Sequence, residues 1–256
     1  MQSWRPLDLA GILDSAFSLF WRHAWFLMGL GLCCLGPVAV LSLLLQGPPA
    51  PSPLFLAHPL RQALLLLLQL LAQFTALLAA VRAAGRLYRD ETAEFWPCMA
   101  RALTWVVPYM FLALILYLLI GIASVLLVVP GLLLAALFFL FVPALMLENR
   151  GFFAALEHGV NLARGALPRL VGVMFLSFCM RYSGTLLLFL LALLPFLLVG
   201  PVRSQLAPAL TPLLLLVQIP LLAFQASVAV VAYYDRRAVR EGLDLEDRLM
   251  ALEATP

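Results

Sequence analysis

Residues able to do chemistry are sparse in this 256-residue chain and gather at a few places. The densest stretch is VVAYYDRRAVREGLDLEDR at 230–248, where two tyrosines, acids and arginines follow a long apolar run. Arg86, Arg89 and Asp90 form a smaller group of the same kind, as do Glu148 and Arg150. Two readings of these groups compete. Arginines at helix C-termini complement the helix dipole and reach anionic lipid, with neighbouring acids as partners. Alternatively, Asp14, Glu148, Glu157 and Asp235 converge with arginine partners into one polar site. Enzyme signatures are absent from the sequence: there is no HExxH, no GxSxG and no GxxxxGKS/T, and His23, His58 and His158 are scattered. Glu157 and His158 are neighbours on a helical pattern, so they point in different directions, and both are expected to be exposed. Cys33, Cys34, Cys98 and Cys179 follow neither a CxxC nor a zinc spacing and sit in or beside apolar runs, which predicts free thiols that pack as small side chains. No catalytic residue, metal or cofactor is expected.

The elements that must position these groups follow from composition. At 64% hydrophobic and 11% charged residues, with a mean hydropathy of +1.04, the chain cannot hide its apolar surface in one water-soluble core. Its expected place is a bilayer. Crossing about 30 Å of hydrocarbon takes about 20 helical residues. Six apolar runs meet that need: about 25–45, 60–82, 104–128, 131–147, 169–199 and 211–233. The proline-rich QGPPAPSPLFLAHP closes the first hairpin, VVPG at Val128–Gly131 the second and GPVRSQLAPALTP the third. Pro143, Pro195 and Pro220 fall inside spans and are expected to kink them. The opening MQSWRPLDLAGILDSAFSLFWRH lacks an uninterrupted apolar core and a small-residue cleavage site, so it reads as a retained segment rather than a signal peptide.

All sixteen basic residues are arginines, and their distribution sets an orientation. With both termini cytoplasmic, thirteen face inward, while Arg61 and Arg203 lie outside. The net charge of +3 is small and the arginines lie where lipid headgroups would be, so nucleic acid is not an expected partner. Leu9, Ile12, Leu13, Ala16, Phe17, Phe20 and Ala24 recur at the spacing of one helical face, with Asp8, Ser15, Ser18 and Arg22 off it. Such a helix lies in the membrane surface, with Trp4, Trp21 and Trp25 suited to the headgroup zone. GRLYRDETAEFWPCMARALTW and ENRGFFAALEHGVNLARGALPRL repeat the theme of a polar opening and an amphipathic stretch leading into a span. The fold class expected is therefore all-α: a single polytopic membrane domain over 1–256, built as three parallel repeats of interfacial helix plus hairpin. The units run about 1–89, 90–150 and 151–240, followed by a short acidic cytoplasmic tail at 241–256.

Arg181 stands apart, because apolar or small residues surround it in LVGVMFLSFCMRYSGTLLLFLLALL. Counted from Pro168 it lies about 20 Å along a helix. Either it is deep in the bilayer, where with Tyr182 and Ser183 it would contact an anionic ligand or lipid headgroup, or residues 168–180 are interfacial and it sits at the surface.

Three segments carry a family resemblance. RPLDLAGILDSAFSLFWRHAW resembles an opening of the type R-P-L-x-L-G-x-I-L-D-x-A-F-x-L-F/Y-R-R, PALMLENRGFFAALEHGVNLARGALPRLVGV resembles the same family's central motif, and VVAYYDRRAVREGLDLE is similar to its closing Y-Y-D-x-R-x-R-x-E-G-x-D-x-E. The family is the glycerophosphoryl diester phosphodiesterase membrane domain group, with YciC-like bacterial integral membrane proteins as relatives. The resemblance runs from Arg5 to Glu246, and it implies family positions at Asp14, Glu148, Arg164, Gly165, Tyr234, Asp235, Arg237, Arg240, Glu241, Gly242 and Asp244. Ala10 stands where the opening motif has glycine, and Glu157 and His158 replace a basic pair. The resemblance implies a membrane part found beside phosphodiesterases in some proteins, without their catalytic domain.

The expected function is a non-enzymatic scaffold or partner-binding subunit of the bacterial cytoplasmic (inner) membrane, in envelope-related work. Its partners would be anionic lipid headgroups and a protein on the cytoplasmic face. Candidate contacts are Arg181, Tyr182, Asp14, Glu148, Arg164, Tyr234, Asp235, Arg237 and Arg240. The alternative is a transporter or lipid-handling protein with an intramembrane polar site around Arg181.

Overall fold

A computed structural model describes residues 8–45, 59–126, 128–148, 151–198 and 203–241. Those residues form helices α1 (Leu9–Arg22), α2 (Ala24–Leu45), α3 (Pro59–Tyr88), α4 (Phe95–Leu126), α5 (Val128–Phe139), α6 (Phe141–Leu147), α7 (Phe152–Arg164), α8 (Leu167–Leu198) and α9 (Arg203–Glu241). No strand occurs among the described residues. Five helical stretches are long and apolar enough to cross a bilayer: Ala24–Leu44, Leu60–Tyr88, Phe95–Ala123, Val129–Leu147 and Leu215–Arg240. A sixth arises if α7 and the Leu167–Met180 part of α8, which meet at 105°, are taken together.

The bundle is organised around α9, which packs on α1, α2, α3 and α8 and touches α6 and α7 near its C-terminus. From Ala226 to Arg236 every residue of α9 is buried, so the helix has no lipid-facing side there. Its sequence explains how, since ASVAVVA is small enough to let neighbouring backbones approach from all directions. α3 answers with Ala79, Ala80, Ala83, Ala84 and Gly85, all buried. A Cβ at Gly85 would run into the Leu147 side chain of α6, and one at Gly31 would come within 2.8 Å of Ile219. Between α3 and α9, Gln73 Nε2 donates to Gln218 Oε1 at 2.6 Å, a polar tie of the kind that supplements packing where no hydrophobic gradient separates helix from lipid. The hydroxyls of Ser42, Thr75, Ser177 and Ser227 donate to carbonyls three or four residues back, which satisfies them without a tertiary partner.

Several sequence expectations need adjustment. Ahead of the third apolar run there is no separate interfacial helix, because Phe95–Leu126 is one continuous helix that carries Pro108 within it. Val128–Gly131 does not form a loop but opens α5, with Pro130 in the first turn, where a missing N–H costs nothing. Much of GPVRSQLAPALTP likewise belongs to α9, which starts at Arg203. The expected break at Pro143 is present: α5 ends at Phe139 and α6 restarts at Phe141, because the proline ring excludes the carbonyl four residues earlier. The four cysteines are free, as expected.

α3 ends in a left-handed turn. Glu91 N–H returns to Arg86 O at 3.0 Å and Asp90 N–H to Leu87 O at 3.1 Å, with Asp90 at φ 56°. Aspartate tolerates this region and glycine adopts it without strain. Asp90→Gly is therefore expected to hold or slightly raise the unfolding midpoint in detergent, whereas Asp90→Val lowers it by roughly 1–2 kcal/mol of stability. Equal midpoints for the two variants would show that this turn does not limit stability.

Candidate functional site

The titratable side chains meet at one end of the bundle, where α3, α6 and α9 finish and α4, α7 and α8 begin. Two arginines first close the C-terminus of α6. Arg82 of α3 donates to Met146 O, and Arg101 of α4 reaches Glu148 O at 3.5 Å. The last carbonyls of a helix carry its negative dipole end, so cations from two neighbours fix where α6 stops. Arg101 also lies over the Trp105 ring, 5.4 Å from its centroid, and Trp105 stacks on Phe152 of α7.

Glu148 follows immediately, and its buried carboxylate is a hub. Its Oε1 accepts the Tyr233 hydroxyl from α9, lies 3.1 Å from His158 Nε2 of α7 and 3.6 Å from Arg237 Nε. One acid thus ties α6, α7 and α9 together. A buried carboxylate is tolerated only when such partners replace its water. Asp235, on α9 between Tyr233 and Arg237, has a similar role: its side chain is 1% exposed and its Oδ2 lies 3.1 Å from Arg169 Nη2 of α8. Tyr234 stacks on Tyr88, with centroids 5.3 Å apart, linking α9 to the end of α3.

His158 reaches Glu148 because of its face. Ala155, Gly159, Leu162 and Ala163 are the buried stripe of α7, and position 158 borders it. Gly159 makes the approach close: a Cβ there would lie 2.9 Å from the Phe141 Cα and 3.0 Å from its nitrogen. The expectation that His158 is exposed is corrected by this packing, since its side chain is 12% exposed, whereas Glu157 on the next position is exposed as expected.

Beside the hub, α1 and the end of α3 enclose a polar cleft of about 220 Å³. Asp14, Ser15, Ser18, Arg22 and His23 line it from α1, and Tyr88 and Asp90 from α3. Tyr88 is common to the cleft and to the Tyr234 stack, so Asp14 belongs to the same end of the molecule as Glu148 and Asp235 without joining their ion pairs. Trp21, Trp25 and Trp96 are largely exposed nearby in sequence to these helix ends, as residues of an interfacial aromatic belt are.

Of the residues singled out in the sequence, the structure brings together Glu148, Tyr234, Asp235 and Arg237. Asp14, Arg164 and Arg240 are exposed around them. Tyr182 is exposed and packs on Phe178 at 4.0 Å between centroids, far along α8 from the hub. The side chain of Arg181 falls outside the described residues, as do Glu241's side chain, Gly242 and Asp244. Sequence reasoning missed Tyr233, His158, Arg169, Arg82 and Arg101 as members of the network. Only for Tyr233 was a signal present, since it lies in the stretch of α9 that lacks a polar face. Among the described residues no group of three or more acids, histidines or cysteines is placed to hold a metal.

Helices of this length and apolarity, joined at one end by an ion-paired network, define an all-α multi-pass membrane protein. Comparison with protein families, curated proteins and solved structures finds no match for the chain.

Proposed function

We propose that this chain is a non-enzymatic scaffold or partner-binding subunit of the bacterial cytoplasmic membrane, with both termini cytoplasmic and a protein partner docking on the polar end. The carrying observation is the division of labour among the charges. Glu148, Asp235, Arg169 and Arg237 are consumed in holding helices together, while Asp14, Arg22 and Asp90 line the α1–α3 cleft and Arg89, Glu157, Arg164 and Arg240 are exposed on the helices that meet at this end, giving exposed charges of both signs. A mixed-sign surface on a rigid base suits recognition of a complementary protein surface. The arginine asymmetry supports the orientation.

The proposed architecture is six spans in three parallel units. Short helices precede the hairpins in the first and last units, as α1 and α7; in the middle unit the corresponding stretch is the start of α4. The resemblance to the glycerophosphoryl diester phosphodiesterase membrane domain group supports the same reading, because its positions at Glu148, Gly165, Tyr234, Asp235 and Arg237 lie at one end of the bundle although they are distant in sequence.

Photo-crosslinking side chains placed at Asp14 and Glu157 test the proposal in cells. A discrete protein adduct is expected at both positions and not at Leu118, an exposed residue on the apolar flank of α4. Asp14→Arg with Glu157→Arg should abolish co-purification of that adducted protein while leaving the chain monodisperse. Adducts missing at both positions, or unchanged by charge reversal, would sink the idea.

A further inference from the structure

We propose that Arg236 and the N-terminus of α8 form a binding site for the phosphate group of an anionic ligand. Arg236 lies between Asp235 and Arg237 in sequence but takes part in neither of their ion pairs. It is only 8% exposed, and its Nε is buried without a hydrogen-bond partner among the described residues. That nitrogen lacks the acceptor that its removal from water demands.

Its direction identifies the missing acceptor. Arg236 Nη2 lies where a Cβ on Gly165 would come within 3.2 Å, so the guanidinium rests against the α7–α8 junction. Gly165 ends α7, and Ala166 precedes the first turn of α8, whose first hydrogen bond runs from Leu170 N–H to Ala166 O at 2.9 Å. The N–H groups of the first helical turn have no intrahelical acceptor and carry the positive end of the dipole. Within that turn Pro168 has no N–H, which leaves Leu167 and Arg169 as donors. Gly165 has no side chain to hold the guanidinium away from this junction.

The charges around Arg236 point the same way. Those acting on it are Asp235, Arg169 and Arg240, and Asp235 is already engaged by Arg169. Arg164, in the last turn of α7, adds another exposed cation at the junction. Three guanidinium groups, those of Arg236, Arg169 and Arg240, therefore share one carboxylate. A phosphate suits the remainder better than a carboxylate, because its several oxygens can accept from a guanidinium and from backbone amides at once. The phosphodiester of an anionic phospholipid headgroup and a soluble phosphomonoester share this chemistry.

Binding to the full chain separates the sources. In nanodiscs of phosphatidylcholine doped with phosphatidylglycerol, native mass spectrometry should show retained phosphatidylglycerol; in zwitterionic detergent, glycerol phosphate should raise the unfolding midpoint if a soluble ester is the ligand. Arg236→Gln is expected to weaken whichever probe binds by roughly tenfold or more, as for the loss of a charge-assisted hydrogen bond. Arg61→Gln, at the opposite end of α3, should leave binding unchanged. If Arg236→Gln fails to fold, Gly165→Val decides the matter, since it keeps every charge and obstructs the approach; it should lose binding with an unaltered elution profile. Failure of both probes to bind wild type, or wild-type binding by Gly165→Val and Arg236→Gln, overturns the proposal. So does binding that appears only after residues 242–256 are removed, which would make the acids of that segment the counter-charge.

Discussion

Glu148→Ala is expected to lower the stability of the purified protein by about 3–5 kcal/mol, the cost of removing one member of a buried ion-paired group. The loss comes less from the missing carboxylate than from what remains. Arg237, His158 and the Tyr233 hydroxyl all turn toward the position of Oε1, and alanine leaves each with its donor or charge facing an apolar gap. In detergent this corresponds to a fall of roughly 10 °C in the unfolding midpoint. Glu148→Gln separates the contributions: the amide oxygen still accepts from Tyr233 while the charge is gone, so its loss should be smaller. Tyr233→Phe removes one neutral donor and should cost about 1 kcal/mol in the wild type. The same change should cost measurably less in the Glu148→Ala background, because the two residues share one interaction. Midpoints of the four proteins check the scheme. Additive losses from Glu148→Ala and Tyr233→Phe would show that the hydroxyl and the carboxylate are energetically independent.

The hub also shows where sequence reasoning reaches its limit. Spans were legible because a bilayer demands length and apolarity, and both are local properties of the sequence: Ala24–Leu44 and Val129–Leu147 nearly coincide with the expected runs. The break before Pro143 was legible for the same reason. Glu148 and Asp235 stood out as acids ending apolar runs, so their membership of a polar end could be anticipated. Their partners could not. Arg82 and Arg101 look like ordinary orientation charges, and nothing local reveals that both close the C-terminus of α6. Which helix end abuts which is a property of the packed bundle. Tyr233, beside Tyr234 at the end of an apolar run, has the local look of an interfacial aromatic, yet it is fully buried as a donor to Glu148. The continuous run ASVAVVAYYD, small and without a polar face, was the available sign that α9 is enclosed there. The amphipathic stretch before the third span failed as a separate helix for a related reason: Cys98, Met99 and Ala102 are buried, so the stretch packs as part of α4 instead of resting on a surface.

Gly159→Val carries the other large expected effect, and it acts through backbone. The atoms facing Gly159 are Cα and N of Phe141 and the carbonyl carbon of Leu140, all within 3.1 Å of a Cβ placed there. Such atoms cannot swing aside as a side-chain end can, so even alanine has to displace α7 from α6 and should cost about 1–3 kcal/mol. Valine, with two further methyl-sized groups and a restricted χ1, should exceed that range. Two other glycines calibrate the claim. A Cβ at Gly172 meets only the Leu9 Cδ1, the far end of a flexible side chain, and one at Gly29 meets nothing within 4 Å. Gly172→Ala should therefore be mild, and Gly29→Ala neutral or stabilising by about 0.5–1 kcal/mol, as for alanine replacing glycine inside a helix. Displacement of α7 has a second consequence, because His158 is carried on the same turn as Gly159 and would be drawn away from Glu148. Gly159→Ala and His158→Ala should accordingly be less than additive, since the first change already weakens the contact that the second deletes. Unfolding midpoints of the single and double variants measure this coupling. A Gly159→Val protein as stable as wild type would mean that α7 is not held against α6 by close backbone contact, and the attachment of His158 to the hub would lose its structural cause.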